Sequence, residues 1–211
     1  MIDPAHLRKA RGIAYVFWHW PTAGTDPARY AEALVAFHHV LASAPPAGFR
    51  GSRVLEVEGA PWLPVARAFE DWYFLDDFAA LGALNEAAVA GARREPHDAA
   101  ARLAAGGHGA IYRLLTPAPG PLSGVATWCS KPPGVPYPRF LETLPAAETW
   151  QRQLVLGPAP EFCLVGLDAA APLDGVAVRA RQLHASPPVR PARSPPRPGA
   201  GRGSRPRRRR R

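Results

Sequence analysis

The aromatic segment at residues 13–20 contains a histidine in a pattern that suits chemistry. Tyr15, Phe17 and His19 are spaced by two, so a β-strand places all three on one face. An imidazole on an aromatic wall can act as a general base or as a haem or metal ligand. A core histidine that only hydrogen-bonds a neighbouring strand is the structural alternative.

A second segment, at residues 69–75, contains the densest acidic patch of the chain. Alternation puts Asp71 and Tyr73 on one face, with Glu70 on the other. A buried carboxylate requires a partner, and Arg53 on the adjacent predicted strand could supply it as a structural ion pair. The functional alternative is a polar cavity wall beside His19.

These two segments give the predicted site. We predict His19, Asp71 and Tyr73 as catalytic residues, with His19 as the base and Asp71 or Tyr73 orienting the substrate. The predicted ligand-binding residues are Tyr15, Phe17 and Tyr112.

Metal and cofactor signals are weak in this sequence. His38 and His39 are adjacent on a predicted helix and point about 100° apart, so they cannot share one metal ion well. The zinc-protease, nucleophile-elbow, Cys-x-x-Cys and dinucleotide motifs are absent. We therefore predict no metal site; the cofactor stays unknown, with haem as an open alternative.

The two cysteines and the hydropathy pattern indicate the compartment. Cys129 and Cys163 are expected to be buried, inert thiols, with a redox pair as the second interpretation. No stretch approaches the roughly 20 apolar residues that a membrane helix needs. We expect a cytoplasmic protein that does not associate with a membrane.

The positive charge of the chain is concentrated at its C-terminal end. The formal charge is +9, yet residues 179–211 contain 12 Arg and no acidic residue. The rest of the chain is therefore slightly acidic. Residues 185–211 are rich in Pro and Arg and are predicted to be disordered. This tail is either simply solvated or binds phosphates of a nucleic acid, through its terminal run Arg207, Arg208, Arg209, Arg210 and Arg211.

The first half of the chain predicts the element order β-α-β-β-α-β. Strands are expected at 13–20, 53–58, 69–75 and 110–115. One helix should follow Asp26-Pro27 and end at Pro45-Pro46, and a second should follow the acidic pair at 76–77. A helical piece opens at Pro96, and the glycine-rich run at 106–109 is predicted to be a flexible turn.

The second half of the chain repeats this pattern in a shorter form. Strands are expected at 125–130, 151–156, 161–167 and 175–182, with a helix at 137–144. Trp128 echoes Trp18, and Tyr137 echoes Tyr30. We therefore divide the chain into a first unit at 1–116, a linker at 117–123, a second, incomplete unit at 124–184 and the tail at 185–211.

The tandem β-α-β-β pattern, with a tryptophan on each first strand, resembles the dimeric α+β barrel superfamily. The resemblance implies an α+β fold of tandem ferredoxin-like units whose antiparallel sheets enclose a cavity. It also implies a homodimer as one assembly, and cofactor-free monooxygenases and lactone isomerases are among the members. Membership restricts shape far more than chemistry.

Three functions are compatible with these observations. The leading one is binding of a small apolar or aromatic molecule in an inter-sheet pocket, with cofactor-free monooxygenation or isomerisation as the reaction. The second is a non-catalytic structural or interaction protein with a filled aromatic core. The third is association with nucleic acid through the Arg-rich tail.

Overall fold

The computed structural model describes residues 12–117, 124–167 and 173–187 of the 211-residue chain. Its strands are β1 (Ile13–Pro21), β2 (Phe49–Glu58), β3 (Arg67–Leu75), β4 (Ala104–Thr116), β5 (Gly124–Cys129), β6 (Glu148–Arg152), β7 (Phe162–Leu167) and β8 (Gly175–Ala185). Its α-helices are α1 (Pro27–Ser43), α2 (Phe78–Ala88), α3 (Arg94–Ala101) and α4 (Tyr137–Glu142), with a 3-10 turn at Gly91–Arg93. The α+β class predicted from the sequence is confirmed.

The strands form one closed barrel. Their order around the barrel is β1-β3-β2-β8-β5-β7-β6-β4, and β4 pairs with β1 to close it. Every neighbouring pair is antiparallel. Closure leaves no strand edge unpaired.

The two halves of the chain contribute strands in the same order. The first half supplies β4-β1-β3-β2, and the second supplies β8-β5-β7-β6. The halves are joined where β2 pairs with β8 and where β4 pairs with β6. The barrel therefore closes, although α4 is the one helix in the described residues of the second half.

Two carboxylates start the helices that cover the first half. Asp26 accepts a hydrogen bond from the backbone nitrogen of Ala28 at 3.0 Å, and Pro27 occupies the first turn of α1. Asp77 accepts from the backbone nitrogen of Ala80 at 3.0 Å and caps α2. Both predicted helix starts are confirmed.

The interior of the barrel is packed with tryptophan rings. Trp18 and Trp128, which mark the two first strands, meet edge to face with ring centroids 5.6 Å apart. Trp72 lies 5.4 Å from Trp150, and the loop residue Trp62 lies 5.2 Å from Trp128. The pocket was predicted between the sheets of the two halves, which is the interior of this barrel. That prediction is wrong, because large side chains fill the interior.

The outer face of the first-half sheet is covered by α1, α2 and α3. On β1 the side chains of Tyr15, Phe17 and His19 point to this face, opposite to Val16 and Trp18. The contact stripe of α1 is formed by its buried residues Tyr30, Leu34, Phe37, His38 and Leu41. The space that holds the candidate residues lies between this stripe and the sheet.

The glycine-rich run at 106–109 differs from its prediction. It belongs to β4 and pairs along β1, with Gly107 opposite His19 and Gly109 opposite Phe17. A Cβ at Gly107 would lie 2.5 Å from the Phe17 ring, and one at Gly109 would lie 2.7 Å from the Tyr15 ring. The glycines therefore let aromatic rings of β1 lie across the neighbouring strand.

No helix in the described ranges is long and apolar enough to cross a membrane. Residues 1–11, 118–123, 168–172 and 188–211 lie outside the described part of the chain. The predicted tail from 188 onward and most of the predicted linker are among them. The proposed domain boundaries therefore stay predictions.

Candidate functional site

A cavity of about 750 Å³ lies between the first-half sheet and its helices. Its walls are mostly apolar, and within the described part of the chain no Lys or Arg lines it. The sheet contributes its aromatic and polar side chains to the floor: Tyr15, Phe17, His19, Asp71 and Tyr73. The helices contribute Tyr30, Leu34 and Phe37 from α1, residues of α2 such as Leu84 and Asn85, and His97 and Ala100 from α3.

At the buried end of the cavity, a hydroxyl of α1 and an imidazole and a carboxylate of the sheet lie in series. The Oη atom of Tyr30 lies 2.7 Å from Nδ1 of His19. The Nε2 atom of His19 lies 3.2 Å from Oδ2 of Asp71. His19 is 1% exposed and Asp71 is 2% exposed, so a charge on either group is poorly hydrated.

A second imidazole meets the same carboxylate from the other side. The Nε2 atom of His38 lies 3.1 Å from Oδ2 of Asp71, and its Nδ1 lies 2.8 Å from Oγ of Ser52. Tyr73 donates from its hydroxyl to Asp71 Oδ2 at 3.0 Å. Three groups therefore crowd one oxygen, while the buried Oδ1 has no hydrogen-bond partner among the described residues.

The contacts between the two imidazoles and Asp71 are close but poorly aligned. Neither Nε2 atom meets the directional requirement of a hydrogen bond, although both distances are short. We therefore treat them as electrostatic contacts between Asp71 and the histidine rings. Hydrogen bonds of catalytic groups are often bent before a ligand is bound.

The electrostatics keep Asp71 ionised and the tyrosines protonated. Burial by itself raises the pKa of the Asp71 carboxyl, but the neighbouring His38 and His19 outweigh it and hold that pKa below its usual range. Burial, followed by the charge of Asp71, raises the pKa of Tyr30 and of Tyr73. The site thus presents a stable anion, two imidazoles and phenols that donate hydrogen bonds.

The structure brings five of the six predicted site residues together. His19, Asp71, Tyr73, Tyr15 and Phe17 all line the cavity. Their predicted roles in catalysis and ligand binding stay predictions.

The sixth predicted residue, Tyr112, faces the barrel interior. It packs against Trp128 with ring centroids 5.6 Å apart, and its hydroxyl donates to the carbonyl oxygen of Pro160 at 2.8 Å. Its neighbour on β4, Ile111, lines the cavity instead. Alternation along β4 explains the difference, since consecutive residues point to opposite faces.

Arg53 is not the partner of the acidic patch. Its guanidinium lies 5.2 Å from the centre of the Phe74 ring, and its Nη1 has no hydrogen-bond partner in the described ranges. Asp71 pairs with His19 and His38 instead, while Glu70 accepts from two indoles of the barrel interior. The predicted ion pair is therefore replaced by two separate polar centres on opposite faces of β3.

Sequence reasoning missed Tyr30 and His38 as members of the site. Tyr30, Leu34 and His38 recur at a spacing of four on α1, which places them on one helical stripe. That spacing is a usable signal, because a histidine inside a buried stripe requires a polar partner on the facing sheet. The adjacent His39 is exposed.

Neither cysteine lines the cavity. Trp128 pairs with Cys163 in register, so Cys129 and Cys163 point to opposite faces of the second-half sheet, and a redox pair is not formed. Residues 207–211 lie outside the described part, so nucleic-acid binding by the arginine run stays a prediction.

Metal binding at His19 would require a rearrangement. Both ring nitrogens already lie at contact distance from Tyr30 and Asp71. Among the described residues, no group of three or more His, Cys, Asp or Glu side chains is arranged to hold a metal ion.

Comparison with known proteins adds little to this geometry. No protein-family model matches the chain, and no curated protein matches it. A solved structure of an anthrone oxidase-like protein is similar at a TM-score of 0.44 and 10% identity, over 82% of this chain and 73% of that chain. The evidence for function therefore comes from the side chains of this chain alone.

Proposed function

We propose that this protein binds a small, largely apolar or aromatic molecule in the helix-covered cavity and moves a proton at the buried end of that molecule. His19 is the base. Tyr30 stands between His19 and the ligand, and Asp71 orients the imidazole and balances the positive charge that forms on it. Tyr73 holds the Asp71 carboxylate by donating to Oδ2.

The observation that carries this proposal is the series of Tyr30, His19 and Asp71. A hydroxyl, an imidazole and a carboxylate in that order form a general proton-transfer unit in proteins. When the Nε2–H of His19 faces the carboxylate, the lone pair of Nδ1 faces the Tyr30 hydroxyl at 2.7 Å. A proton from the ligand can then pass through the Tyr30 oxygen to His19.

Proton removal is the shared first step of the two reactions predicted for this chain. The C–H or O–H bond of the ligand breaks, its proton reaches Nδ1 of His19 through Tyr30, and the electron pair stays on the ligand. Returning the proton at a different atom completes an isomerisation. Electron transfer from the ligand anion to dioxygen, which is then the oxidant, begins a cofactor-free oxygenation.

The fold-level proposal is a tandem of ferredoxin-like units within the dimeric α+β barrel superfamily. Its support is the repeated strand order β4-β1-β3-β2 and β8-β5-β7-β6. The unit boundaries at 116 and 124, and homodimerisation, belong to this proposal.

A non-catalytic role is the second candidate. The observation that favours it is the filled barrel interior, in which Trp18, Trp72 and Trp128 pack at centroid distances of 5.6–6.4 Å. In that case the cavity under the helices binds a ligand without turnover, or binds none.

β-Naphthol in deuterated water tests these candidates, because its fluorescence reports binding and its ionisation promotes deuterium exchange at the adjacent ring carbon. We expect saturable binding and catalysed exchange that falls by about 100-fold in His19→Gln. The control is His108→Gln, which alters an exposed histidine on β4 outside the cavity.

The outcomes separate the candidates. Binding with equal exchange in wild type and His19→Gln supports the non-catalytic role and rejects the proton-transfer proposal. Absence of saturable binding rejects the cavity as the site for this class of molecule.

A further inference from the structure

His38 lies behind Asp71 as seen from the cavity, and it is not one of the residues that line the cavity. It is fully buried, and it mirrors His19 across the carboxylate. Tyr30, His19 and Asp71 form one series, while Ser52, His38 and the same Asp71 form a second. The proposed reaction uses the first series and leaves the second without a role.

We propose that His38 is a positioning residue that releases a proton on the Ser52 side whenever His19 takes one from the cavity. This inference rests on the proposed function. Asp71 couples the two rings by its charge and stays a carboxylate throughout, so no proton has to pass through it.

The charge of the buried cluster limits how many imidazolium ions it can hold. Polar groups of α1 and of four strands face Asp71 or its partners. They are His38 and Tyr30 of α1, His19 and Tyr15 of β1, Ser52 of β2, Tyr73 of β3 and His184 of β8. None of these is Lys or Arg. Asp71 can therefore balance one buried imidazolium, whereas two would leave the cluster with an uncompensated positive charge.

The cluster has no net charge when one of the two rings, His19 or His38, carries a second ring proton and Asp71 is ionised. In the resting arrangement His38 carries both ring protons, with Nε2–H facing Asp71 and Nδ1–H facing Ser52 Oγ. His19 then carries a proton on Nε2 and offers the lone pair of Nδ1 to Tyr30. Both arrangements match the distances of 2.8 Å and 2.7 Å at the two Nδ1 atoms.

Proton uptake at His19 then drives release at His38. The Tyr30 O–H bond breaks, a bond forms at Nδ1 of His19, and the ligand proton restores the Tyr30 hydroxyl. The Nδ1–H bond of His38 breaks as a bond forms to Ser52 Oγ. The Ser52 O–H bond breaks in turn, and its proton passes to solvent water on the side of the half-buried Ser186. The cluster keeps one positive and one negative charge before and after the step.

The far end of the second series leads towards the surface at β8. Ser186 Oγ accepts from the backbone nitrogen of Ser52 at 2.7 Å, and Ser186 is half-buried. The ring of His184 lies 6.0 Å from that of His38 and 4.6 Å from that of the exposed His39. Burial and the neighbouring His38 and His39 lower the pKa of His184 to about 4, so this ring adds no positive charge to the cluster near neutral pH.

The first test needs no substrate. In protein labelled at the imidazole nitrogens, NMR distinguishes imidazolium from neutral rings, and near neutral pH we expect His19 and His38 together to carry one imidazolium charge. His38→Gln should move that charge fully to His19, and His39→Gln, the matched change at the next position of α1, should leave it unchanged. Two neutral rings, two charged rings, or an unchanged His19 in His38→Gln would overturn the inference.

The second test measures the coupling in turnover. With β-naphthol we expect unchanged binding but about tenfold slower deuterium exchange in His38→Gln at low buffer concentration, with recovery on addition of imidazole. Ser52→Ala should show the same slowing while keeping His38, which covers the case in which His38→Gln does not fold. Slowing that added imidazole does not relieve assigns His38 a structural role and overturns the inference.

The measurements can reject the proposed function and the coupling of His19 to His38 independently of each other. A shared charge in the NMR measurement together with inactive wild-type protein rejects the proposed function and supports the coupling of His19 to His38. Active wild-type protein with undiminished exchange in both His38→Gln and Ser52→Ala rejects the coupling alone.

Discussion

Glu70 and Asp71 are consecutive residues of β3, yet their carboxyl groups lie on opposite faces of the barrel wall and have opposite pKa shifts. Asp71 faces two histidines beneath the helices, and its pKa is lowered. Glu70 faces the barrel interior and accepts from the indole nitrogens of Trp18 at 2.5 Å and Trp72 at 2.6 Å. Burial raises its pKa to about 7, although both hydrogen bonds oppose that shift.

Glu70 should make the protein less stable as pH rises. Its folded-state pKa of about 7 exceeds the usual 4.5, so the folded protein holds a proton that the unfolded chain releases between these values. The contribution of Glu70 to the free energy of unfolding should therefore be highest below about pH 4.5 and fall by about 3 kcal/mol by pH 7.

Urea unfolding of wild type, Glu70→Gln and the exposed control Glu86→Gln at several pH values measures this effect. Glu70→Gln should lack the decline, and Glu86→Gln should keep it. An equal decline in all three proteins would show that Glu70 is not its source.

Asp71→Asn should strongly destabilise the fold. The substitution leaves His19, His38 and the Tyr73 hydroxyl around a neutral amide, and breaking a buried ionic cluster costs about 3–5 kcal/mol. Because the pKa of Asp71 is lowered on folding, wild type should also lose stability as pH falls below 3.8, and the variant should not show that component.

Chemical denaturation measures this difference, with Asp98→Asn as the control. Asp98 contacts His97 at 3.0 Å with its side chain 46% exposed, so its loss should cost less than about 1 kcal/mol. Equal effects of the two substitutions would contradict a special role of the buried cluster.

Gly107→Ala should displace the Phe17 ring from its place in the cavity wall and lower stability. The added Cβ would lie 2.5 Å from the Phe17 ring, which must move into the cavity or away from it. Overpacking of this kind costs about 1–3 kcal/mol.

Gly82→Ala is the matched change on the opposite wall, since a Cβ there meets nothing within 4 Å. It lies within α2 and should be neutral or stabilising by up to about 1 kcal/mol. Thermal denaturation and β-naphthol affinity should both separate the two variants, and similar melting temperatures would contradict the close packing of Phe17 on β4.

Tyr30→Phe and Tyr73→Phe should differ in activity more than in stability. Each removes one buried hydroxyl, at about 1–2 kcal/mol. Tyr30→Phe also removes the group between His19 and the ligand, so deuterium exchange of β-naphthol should fall by about 100-fold. Tyr73→Phe should reduce it by a few-fold at most, and the reverse order would transfer the role of proton carrier to Tyr73.

Patterns of period two and their bounding turn residues were sufficient to predict the strands of the first half and the residues that share the site face. The strand predicted at 151–156 is wrong, because β6 is Glu148–Arg152 and a turn follows it. Tyr15, Phe17 and His19 were placed together from spacing alone, as were Asp71 and Tyr73, and the structure brings both sets to one cavity. Tyr112 was predicted on the same face as Tyr15 and Phe17 but faces the barrel interior. Its face depends on the glycine run at 106–109, which the sequence predicts to be a turn but which pairs with β1 as part of β4.

The sequence by itself determined the α+β class, the repeated strand pattern and the helix starts at Asp26 and Asp77, because these follow from local periodicity and capping. Only the tertiary structure decided on which face of the first-half sheet the cavity lies. Four buried tryptophans fill the barrel, with Trp20 and Trp62 packed against them. The space remains under the helices, where glycines of β4 leave room for the rings of β1. It also decided that Asp71 pairs with His19 and His38, since contacts between residues 33 and 52 positions apart depend on strand register and helix docking, which no local pattern encodes.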